Sequence, residues 1–372
     1  MLINFASLFN LIQIMKRILS FIFTLLVLLF ICSSSYGKPA EKVKNIILLI
    51  GDGMGVAQIY AGYTANKGKL NLEKAQYIGF SKTSSANNYI TDSGAGATAI
   101  STGYKTNNEY IGMDEKGLLR KTVLESAEEN GLATGIVVTC PIAHATPAAF
   151  MAHQKSRYDY ENIAIDIVHS GIDLFIGGGK VNFDDRKDSL NYTDSLRNRG
   201  YSIVYNLDSI NPDNTKKTGC FLTNEELQPV YKGRGNYLPN ATKIAVKKLC
   251  LNKIGFFIMI EGSQIDWGGH NNNIDYITGE MIDFDHAIGE AFKFADENPG
   301  TLVIVTADHE TGGLALVGGD IKVGKVDARF STNMHTGVMV PVFTYGTGSE
   351  EFAGIYENTE IYSKMMKLLN LK

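Results

Sequence analysis

The chain has 372 residues, of which 44% are hydrophobic and 20% are charged, and its formal net charge at pH 7 is −4. This length suits one large α/β domain or two small ones. The weakly acidic balance argues against nucleic acid as a specific partner, and it means that any anionic substrate must be held by metal ions or by a few placed cations.

The N-terminal segment has the organisation of a secretory signal peptide. The basic residues of 15–17 precede the apolar run 18–31, and small residues follow that run. We expect residues 1–37 to be removed by cleavage after Gly37, which leaves about 335 residues. The mature protein is then expected in the periplasm or outside the cell, without stable membrane insertion.

Two other interpretations of this segment stay open. Residues 2–14 are also hydrophobic, so the segment could be a retained membrane anchor, although a translation start at Met15 is the simpler explanation. Lipidation of Cys32 is disfavoured because the large Ile31 precedes it.

Three cysteines follow the predicted cleavage position: Cys140, Cys220 and Cys250. An exported protein could pair Cys220 with Cys250, but the sequence does not decide this. The odd number shows that the fold is not a disulfide scaffold. Cys140 ends an apolar run and is most simply a small buried residue.

Continuous apolar runs predict strands that are covered on both faces. Helical patterns lie between these runs, and the alternation predicts a parallel sheet. We therefore predict an α/β fold, a three-layer sandwich with a mostly parallel central sheet and helices on both faces. The predicted strands are 43–50, 134–140, 172–178, 255–262, 301–308 and 340–346, and the clearest predicted helices are 118–131, 240–252 and 276–298.

The segment 180–239 differs from the rest of the chain. It is rich in Asn, Asp, Ser, Tyr and Gly and contains few long apolar runs. We interpret it as a small, variable surface excursion from the sheet. Residues 38–372 are then expected to form a single domain.

Side chains of the kinds that bind metals follow the apolar runs, where ligands bind in open α/β sheets. Each of them alone has an ordinary explanation, such as a turn or a structural hydrogen bond. Together they would form a cluster of carboxylates that repel one another, which bound cations relieve. The residues are Asp52; Thr146, with His144 before it; Glu261, Asp266 and His270; Asp308 and His309; and His335.

The chemistry of these side chains indicates two kinds of metal site. Mixed aspartate and histidine ligands favour zinc or a similar metal. Oxygen ligands from Asp, Glu and Thr favour magnesium. We therefore expect one kind of site that contains nitrogen ligands and another that contains only oxygen ligands.

Ser93 is the candidate nucleophile. It lies in "TDSGAGATA" (91–99), where small residues can begin a helix that packs closely on the sheet. A helix N-terminus offers free N–H groups and a positive dipole end, which favour phosphate. The ordinary explanation is that Asp92 or Ser93 caps the helix. Gly94 and Gly96 favour the functional interpretation, because they leave the hydroxyl uncovered at a cost in helix stability.

These motifs, taken together, resemble the alkaline phosphatase family. The resemblance covers nearly all of the predicted mature chain, and it is weakest in 180–239. The order and approximate spacing of the set are highly specific. The motifs are "IGDGMG" (50–55), "TDSGAGATA" (91–99), "HATPAAFMAH" (144–153), "EGSQIDWGGH" (261–270), "TADHETGG" (306–313) and "MHTG" (334–337).

The resemblance implies a set of residue roles. Ser93 would be the nucleophile and form a phosphoserine intermediate, and Arg157 would bind the phosphate. Two zinc ions and one magnesium ion would be bound. The implied ligands are Asp266, His270 and His335 for one zinc; Asp52, Asp308 and His309 for the other, which also binds the Ser93 oxygen; and Asp52, Thr146 and Glu261 for magnesium.

Two positions depart from the best-known enterobacterial pattern of the family. His144 stands where that pattern has aspartate, and Trp267 stands where it has lysine. The resemblance places both residues beside the magnesium and phosphate sites. The loss of one carboxylate and one ammonium group puts magnesium binding and the hold on phosphate in question. A packing role for Trp267 is the alternative.

The resemblance implies a phosphomonoesterase with an alkaline pH optimum, and it also implies a homodimer. A phosphodiesterase or phosphomutase of the same superfamily is the alternative among enzymes. A sulfatase is disfavoured, because Ser93 lacks the modifiable sequence context that sulfatases need. A binding protein for phosphate or metal is the alternative outside enzymes, and it would not need a nucleophile.

Overall fold

The computed structural model describes residues 4–34 and 42–371. In the N-terminal part, helix α1 spans Phe5–Ser34. Its stretch Phe5–Leu25 is long and apolar enough to cross a membrane, a test that N-terminal signal sequences also pass. The expected cleavage after Gly37 lies outside the described residues and stays a prediction.

Residues 42–371 alternate strands and helices as the sequence predicts. The helices in this range are α2 (Val56–Ala65), α3 (Ser93–Thr102), α4 (Val123–Glu129), α5 (Ala145–Met151), α6 (Tyr160–His169), α7 (Val181–Asp184), α8 (Tyr192–Asn198), α9 (Tyr237–Leu249), α10 (Gln264–His270), α11 (Ile274–Glu297) and α12 (Thr359–Leu368). The strands are β1 (Asn45–Gly51), β2 (Tyr77–Lys82), β3 (Ala133–Pro141), β4 (Leu174–Gly178), β5 (Ser202–Val204), β6 (Thr218–Phe221), β7 (Phe256–Gly262), β8 (Thr301–Thr306), β9 (Glu310–Thr311), β10 (Leu314–Asp320), β11 (Lys325–Phe330), β12 (His335–Thr336), β13 (Val340–Gly346) and β14 (Gly354–Glu357).

Ten of the strands form one central sheet in the order β14-β2-β13-β8-β1-β7-β3-β4-β6-β5. From β8 to β5 every neighbouring pair is parallel, while β13 runs antiparallel to both β8 and β2. In the centre, Ile47 of β1 pairs with Ile258 on one side and Val303 on the other. The prediction of a mostly parallel sheet is confirmed.

Helices cover both faces of this sheet. Along β1, Ile46 and Leu48 pack into the core on one face, together with side chains of α3, α4, α5, α6 and α12. Ile47 and Leu49 pack into the core on the other face, with α2, α9 and α11. A strand buried on both faces needs apolar residues at every position, which is why these runs do not alternate. The predicted three-layer sandwich is confirmed.

Two local predictions were wrong. The helix expected over 118–131 begins only at Val123, because Thr122 and Glu125 form a reciprocal capping box at its start. The segment 180–239 is not wholly an excursion from the sheet, because β5 and β6 pair with each other and β6 pairs with β4. Strand β6 is fully buried, but its four residues are too few to give a clear apolar run.

The three cysteines of residues 42–371 are all free. Cys220 and Cys250 therefore do not form the disulfide that the sequence left open. Cys140 is buried at the end of β3, as predicted for a small core residue.

Candidate metal centre

Three adjacent strands deliver carboxylates to one edge of the sheet. Strand β1 lies between β8 and β7, and its Ile50 pairs with Glu261 of β7. Asp52 follows the end of β1, and Asp308 comes two residues after the end of β8. The carboxyl ends of parallel strands meet at the same edge, which is where ligands bind in such sheets. Asp52, Glu261 and Asp308 are all buried there.

The first group of ligand-type side chains contains Asp266, His270 and His335. Asp266 and His270 lie one turn apart on α10, which places them on the same helix face. The Nδ1 atoms of His270 and His335 contact the backbone oxygens of Asn333 and Thr91, at 2.7 and 2.9 Å. Their Nε2 atoms lie 3.2 Å apart and within 3.5 Å of the Asp266 carboxylate. Two imidazoles and a carboxylate arranged in this way suit zinc.

The second group contains Asp52, Asp308 and His309. His309 Nε2 lies 3.4 Å from Asp52 Oδ1 and 3.3 Å from Asp308 Oδ2. Neither of these buried oxygens has a hydrogen-bond partner. Burial, followed by repulsion from neighbouring carboxylates, raises the pKa of Asp308 to about 8 and that of Asp52 well above its usual value. Burial of these carboxylates without a partner lowers the stability of the folded protein, and a bound cation would offset that loss.

Ser93 lies beside the second group. It is the first residue of α3 and is buried, and its Oγ is 3.2 Å from His309 Nε2. Asp92 caps the helix by accepting a hydrogen bond from the N–H of Ala95. Its other oxygen accepts a hydrogen bond from Arg157 Nη1 at 3.0 Å. The capping residue thus also holds the arginine next to the serine.

Oxygen and aromatic side chains complete the site. Thr146 Oγ1 donates to Asp52 Oδ2 at 3.4 Å. Burial raises the pKa of Glu261 to about 7, and its Oε1 has no hydrogen-bond partner. His144 and Trp267 meet edge to face, with ring centroids 6.1 Å apart. Burial, followed by the charge of Arg157, lowers the pKa of His144 to about 3.

Comparisons with known proteins match this arrangement. A family model described as alkaline phosphatase matches residues 43–326. Alkaline phosphatase 3 of Bacillus subtilis (strain 168) is 35% identical, and the alignment covers 88% of this chain and 89% of that protein. The chain belongs to the alkaline phosphatase family. It is therefore an enzyme of a metal-dependent family, and the resemblance inferred from its motifs is confirmed.

Other members of the alkaline phosphatase family share the fold and most of the length. The alkaline phosphatase of Escherichia coli (strain K12) is 30% identical over 90% of this chain and 87% of its own. The solved alkaline phosphatase of the Antarctic bacterium TAB5 is 42% identical and has a TM-score of 0.85, covering 90% of this chain and all of its own. A histidine-to-aspartate variant of that enzyme was solved with magnesium bound in a site called M3.

Sequence reasoning missed Thr311, which links the two histidine-containing groups. Its Oγ1 donates to Asp266 Oδ1 and lies 3.2 Å from His309 Nδ1. Gly53 has φ +72°, and a Cβ at this position would lie 2.8 Å from both Asp266 Cα and Thr311 Oγ1. Glycine is therefore needed after Asp52 so that these elements can approach each other. Thr311 lies within the alkaline phosphatase motif "TADHETGG", but its contacts depend on the position of α10.

Proposed function

We propose that this protein hydrolyses phosphate monoesters to an alcohol and inorganic phosphate through a phosphoserine intermediate on Ser93. The observation that carries the proposal is the position of the Ser93 hydroxyl, buried at the start of α3 and 3.2 Å from His309 in the second ligand group. A serine hydroxyl is a weak nucleophile at neutral pH, so it needs an activating group, and a cation held by this ligand group would be one. Membership of the alkaline phosphatase family supports the assignment.

The residues fit the two zinc ions and one magnesium ion that the family resemblance implies. Asp266, His270 and His335 would hold one zinc, and Asp52, Asp308 and His309 the other. Magnesium would lie between Asp52, Thr146 and Glu261. The unpartnered buried oxygens of Asp52, Asp308 and Glu261 support this assignment, because each has a lone pair that no protein donor uses. When bound, the cations supply positive charge that activates the serine hydroxyl and stabilises the charge of the transferring phosphoryl group.

The chain's own side chains account for the remaining steps. Arg157, held by Asp92, would bind two phosphate oxygens through its planar guanidinium group. Ser93 Oγ would attack the phosphorus, the alcohol would leave, and water would then release phosphate and restore the serine. His144 and Trp267 would line the phosphate site. The M3 site of the TAB5 enzyme was occupied by magnesium in a histidine-to-aspartate variant, and we infer that His144 is the corresponding histidine here.

Replacement of the nucleophile tests this function. We expect Ser93→Ala to lower the turnover of p-nitrophenyl phosphate by at least about 10³-fold, while zinc content stays unchanged. A turnover near that of the wild type would contradict the assignment of Ser93. A protein that binds phosphate equally well with and without Ser93, and has no turnover in either form, would instead be a binding protein. Faster hydrolysis of bis-p-nitrophenyl phosphate would indicate a phosphodiesterase.

We also propose that the mature enzyme is a periplasmic or secreted homodimer. The apolar helix α1 supports export, since its position and composition are those of a signal sequence. The dimer rests on family resemblance alone. Sedimentation of the purified mature protein tests the dimer, and N-terminal sequencing tests the cleavage of the signal peptide.

A further inference from the structure

Glu310 is a buried carboxylate that none of the three proposed metal sites uses. It lies in β9 directly after His309, and it is 5% exposed. The carboxylate accepts four hydrogen bonds: two from backbone N–H groups of the following turn, one from Gln58 Nε2 at 2.6 Å and one from Thr336 Oγ1. Each of its two oxygens therefore has two donors, which together fix the side chain in one position.

The hydrogen bond from Thr336 joins the two histidine-containing ligand groups. Thr336 directly follows His335 of the first group, and Glu310 directly follows His309 of the second. The backbones are joined here only by the two-residue pairing of β9 with β12, and so short a pairing is weak by itself. The rings of His309 and His335 stack with their centroids 3.6 Å apart. The side-chain bond therefore helps to fix the distance between the two groups.

Gln58 extends this connection to the end of β1. Its side chain is buried, and its Oε1 accepts a hydrogen bond at 3.1 Å from the N–H of Gly55, in the turn that follows Asp52. Its Nε2 also donates to the backbone oxygen of Thr311 at 2.8 Å. A Cβ on Gly55 would lie 2.5 Å from Glu310 Cγ, so glycine is needed for the carboxylate to pack against this turn. One carboxylate thus connects three segments that carry ligand residues.

We propose that Glu310 is a positioning residue for the two histidine-containing groups. Through Thr336 it sets their separation, and through Gln58 it keeps them aligned with the turn after Asp52. Two ions about 3.5–4 Å apart can stabilise the attacking and the leaving oxygen of one displacement, so the separation of their ligand groups affects the reaction. The inference rests on the proposed function only for the assignment of zinc to the two groups.

Thr336 allows a test that leaves the buried carboxylate in place. Thr336→Val removes the donor at nearly constant volume, and Thr336→Ser, which keeps a hydroxyl, is the matched control. We expect Thr336→Val to weaken the binding of one zinc ion by about 10-fold, because only the first group takes a ligand from β12. Thr336→Ser should bind zinc as the wild type does. Competition with a chromogenic chelator measures the affinities.

A double variant shows whether the effect acts through the first group. His270→Ala removes a ligand of that group, so adding Thr336→Val to it should not weaken the binding of the remaining zinc ion. A further loss of about 10-fold in the double variant would place the effect elsewhere and would overturn the proposal. Equal losses of zinc affinity in Thr336→Val and Thr336→Ser would overturn it as well.

The separation of the two groups has its own spectroscopic readout, which a merely structural role would not change. With Co²⁺ bound in both groups, the magnetic coupling between the two ions is recorded by electron paramagnetic resonance. We expect coupling in the wild type and in Thr336→Ser, and weaker coupling in Thr336→Val. Glu310→Gln should weaken it further, because an amide offers one oxygen to four donors. Unchanged coupling in Thr336→Val would overturn the proposal even if Glu310→Gln failed to fold.

The outcome is separable from that of the proposed function. Zinc affinity and cobalt coupling need no substrate, so both can be measured in Ser93→Ala, which lacks the nucleophile. A Thr336→Val protein with the zinc affinity of the wild type contradicts the positioning role alone. A wild-type protein that shows the expected effects of Thr336→Val on metal binding but has no turnover contradicts the phosphatase mechanism alone.

Discussion

Within residues 42–371, two buried clusters of acidic side chains differ in how their charge is balanced. On α11, Glu280 and Asp283 both accept hydrogen bonds from Arg234, at 2.8 Å for Asp283, and all three side chains are at most 4% exposed. At the edge of the sheet, Asp52 and Asp308 are buried to a similar degree, yet each has an oxygen without a partner.

The difference separates a structural cluster from a functional one. A buried carboxylate that is paired within the protein has a counter-charge at hand, whereas an unpaired one either takes up a proton or needs another ion to supply the charge. Arg234 supplies one positive charge, shared by the two carboxylates of the first cluster, although burial still raises the pKa of both Glu280 and Asp283. Four substitutions, at Asp308, Arg234, Thr311 and Glu128, test this contrast.

The largest expected effect is at Asp308. We predict that Asp308→Asn lowers turnover by more than about 10²-fold, because it removes a ligand of the second group. In chelator at pH 9, where the carboxyl is ionised despite its raised pKa, the same change should stabilise the folded protein by about 1–3 kcal/mol by removing an unpaired buried charge. Turnover assays and urea unfolding with and without chelator measure the two effects.

Asp213→Asn is the matched control, since Asp213 is 70% exposed and pairs with Lys247 at the surface. This variant should behave as the wild type in both measurements. Two results together would contradict the prediction: a wild type that chelation leaves as stable as before, and an Asp308→Asn variant that is less stable than the wild type in chelator. The unpaired oxygens would then not be cation ligands.

Arg234 gives the opposite prediction. Arg234→Met leaves Glu280 and Asp283 buried without their cation, so we expect a loss of about 3–5 kcal/mol in the free energy of unfolding. Added zinc or magnesium should not restore it. Urea unfolding measures the loss, and the triple variant with Glu280→Gln and Asp283→Asn should recover most of it.

The exposed pair of Arg197 and Asp194 provides the control for Arg234. Arg197→Met should change stability far less, since exposed ion pairs contribute little. Equal losses in the two methionine variants would show that burial of the Arg234 cluster is not the cause.

Much of the fold, and the position of the unpaired cluster, could be predicted from the sequence. The apolar runs 43–50, 255–262 and 301–308 are continuous because their strands are covered on both faces. The acidic residues at the ends of these runs indicate which edge of the sheet carries the site. The paired cluster could not be predicted, because Arg234 lies in the loop before α9 and no motif or strand end places it against Glu280 of α11. Strand β6 was missed because it is short and contains Gly219, where a Cβ would collide with Phe175.

The side chains that support the ligands were also beyond sequence reasoning. Thr311 meets Asp266 only because β9 pairs with β12 and α10 packs beside them. Cys140 was correctly predicted as buried, but its approach to Glu261 depends on the register between β3 and β7. Such contacts are properties of strand order, which apolar periodicity does not encode.

The third prediction concerns Thr311, which contacts both histidine-containing groups without being a ligand. Thr311→Val removes the hydrogen bond to Asp266 and the contact with His309, while the side-chain volume is nearly kept. We expect zinc affinity to fall about 10–100-fold with little change in the stability of the metal-free protein. Competition with a chromogenic chelator measures the affinity. Thr344→Val is the control because Thr344 is equally buried but bonds to Ser349; equal losses of affinity in both variants would contradict a specific role.

The smallest expected effect concerns Glu128 on α4. It is intermediate between the two clusters, because protein groups balance the charge of this carboxylate only in part. Burial raises its pKa to about 7 from 4.5, against the opposing effects of a hydrogen bond from Thr134 and the charge of Lys217. Between these two pH values the folded protein binds more protons than the unfolded chain. The free energy of unfolding therefore falls as pH rises from 4.5 to about 7, and the penalty is complete above 7.

Glu128→Gln keeps an oxygen for Thr134 but cannot ionise, so it should remove this pH dependence. We expect the variant to gain about 1–2 kcal/mol over the wild type between pH 5 and pH 8, a value reduced for the partial exposure of the side chain. Urea unfolding of both proteins at the two pH values measures the difference. Any loss of metal at low pH affects both proteins, so it cancels when the variant is compared with the wild type. Glu129→Gln, at a neighbouring exposed position, should show no such gain. A gain that is absent in Glu128→Gln would mean that the contacts with Thr134 and Lys217 fully offset the cost of burying this carboxylate.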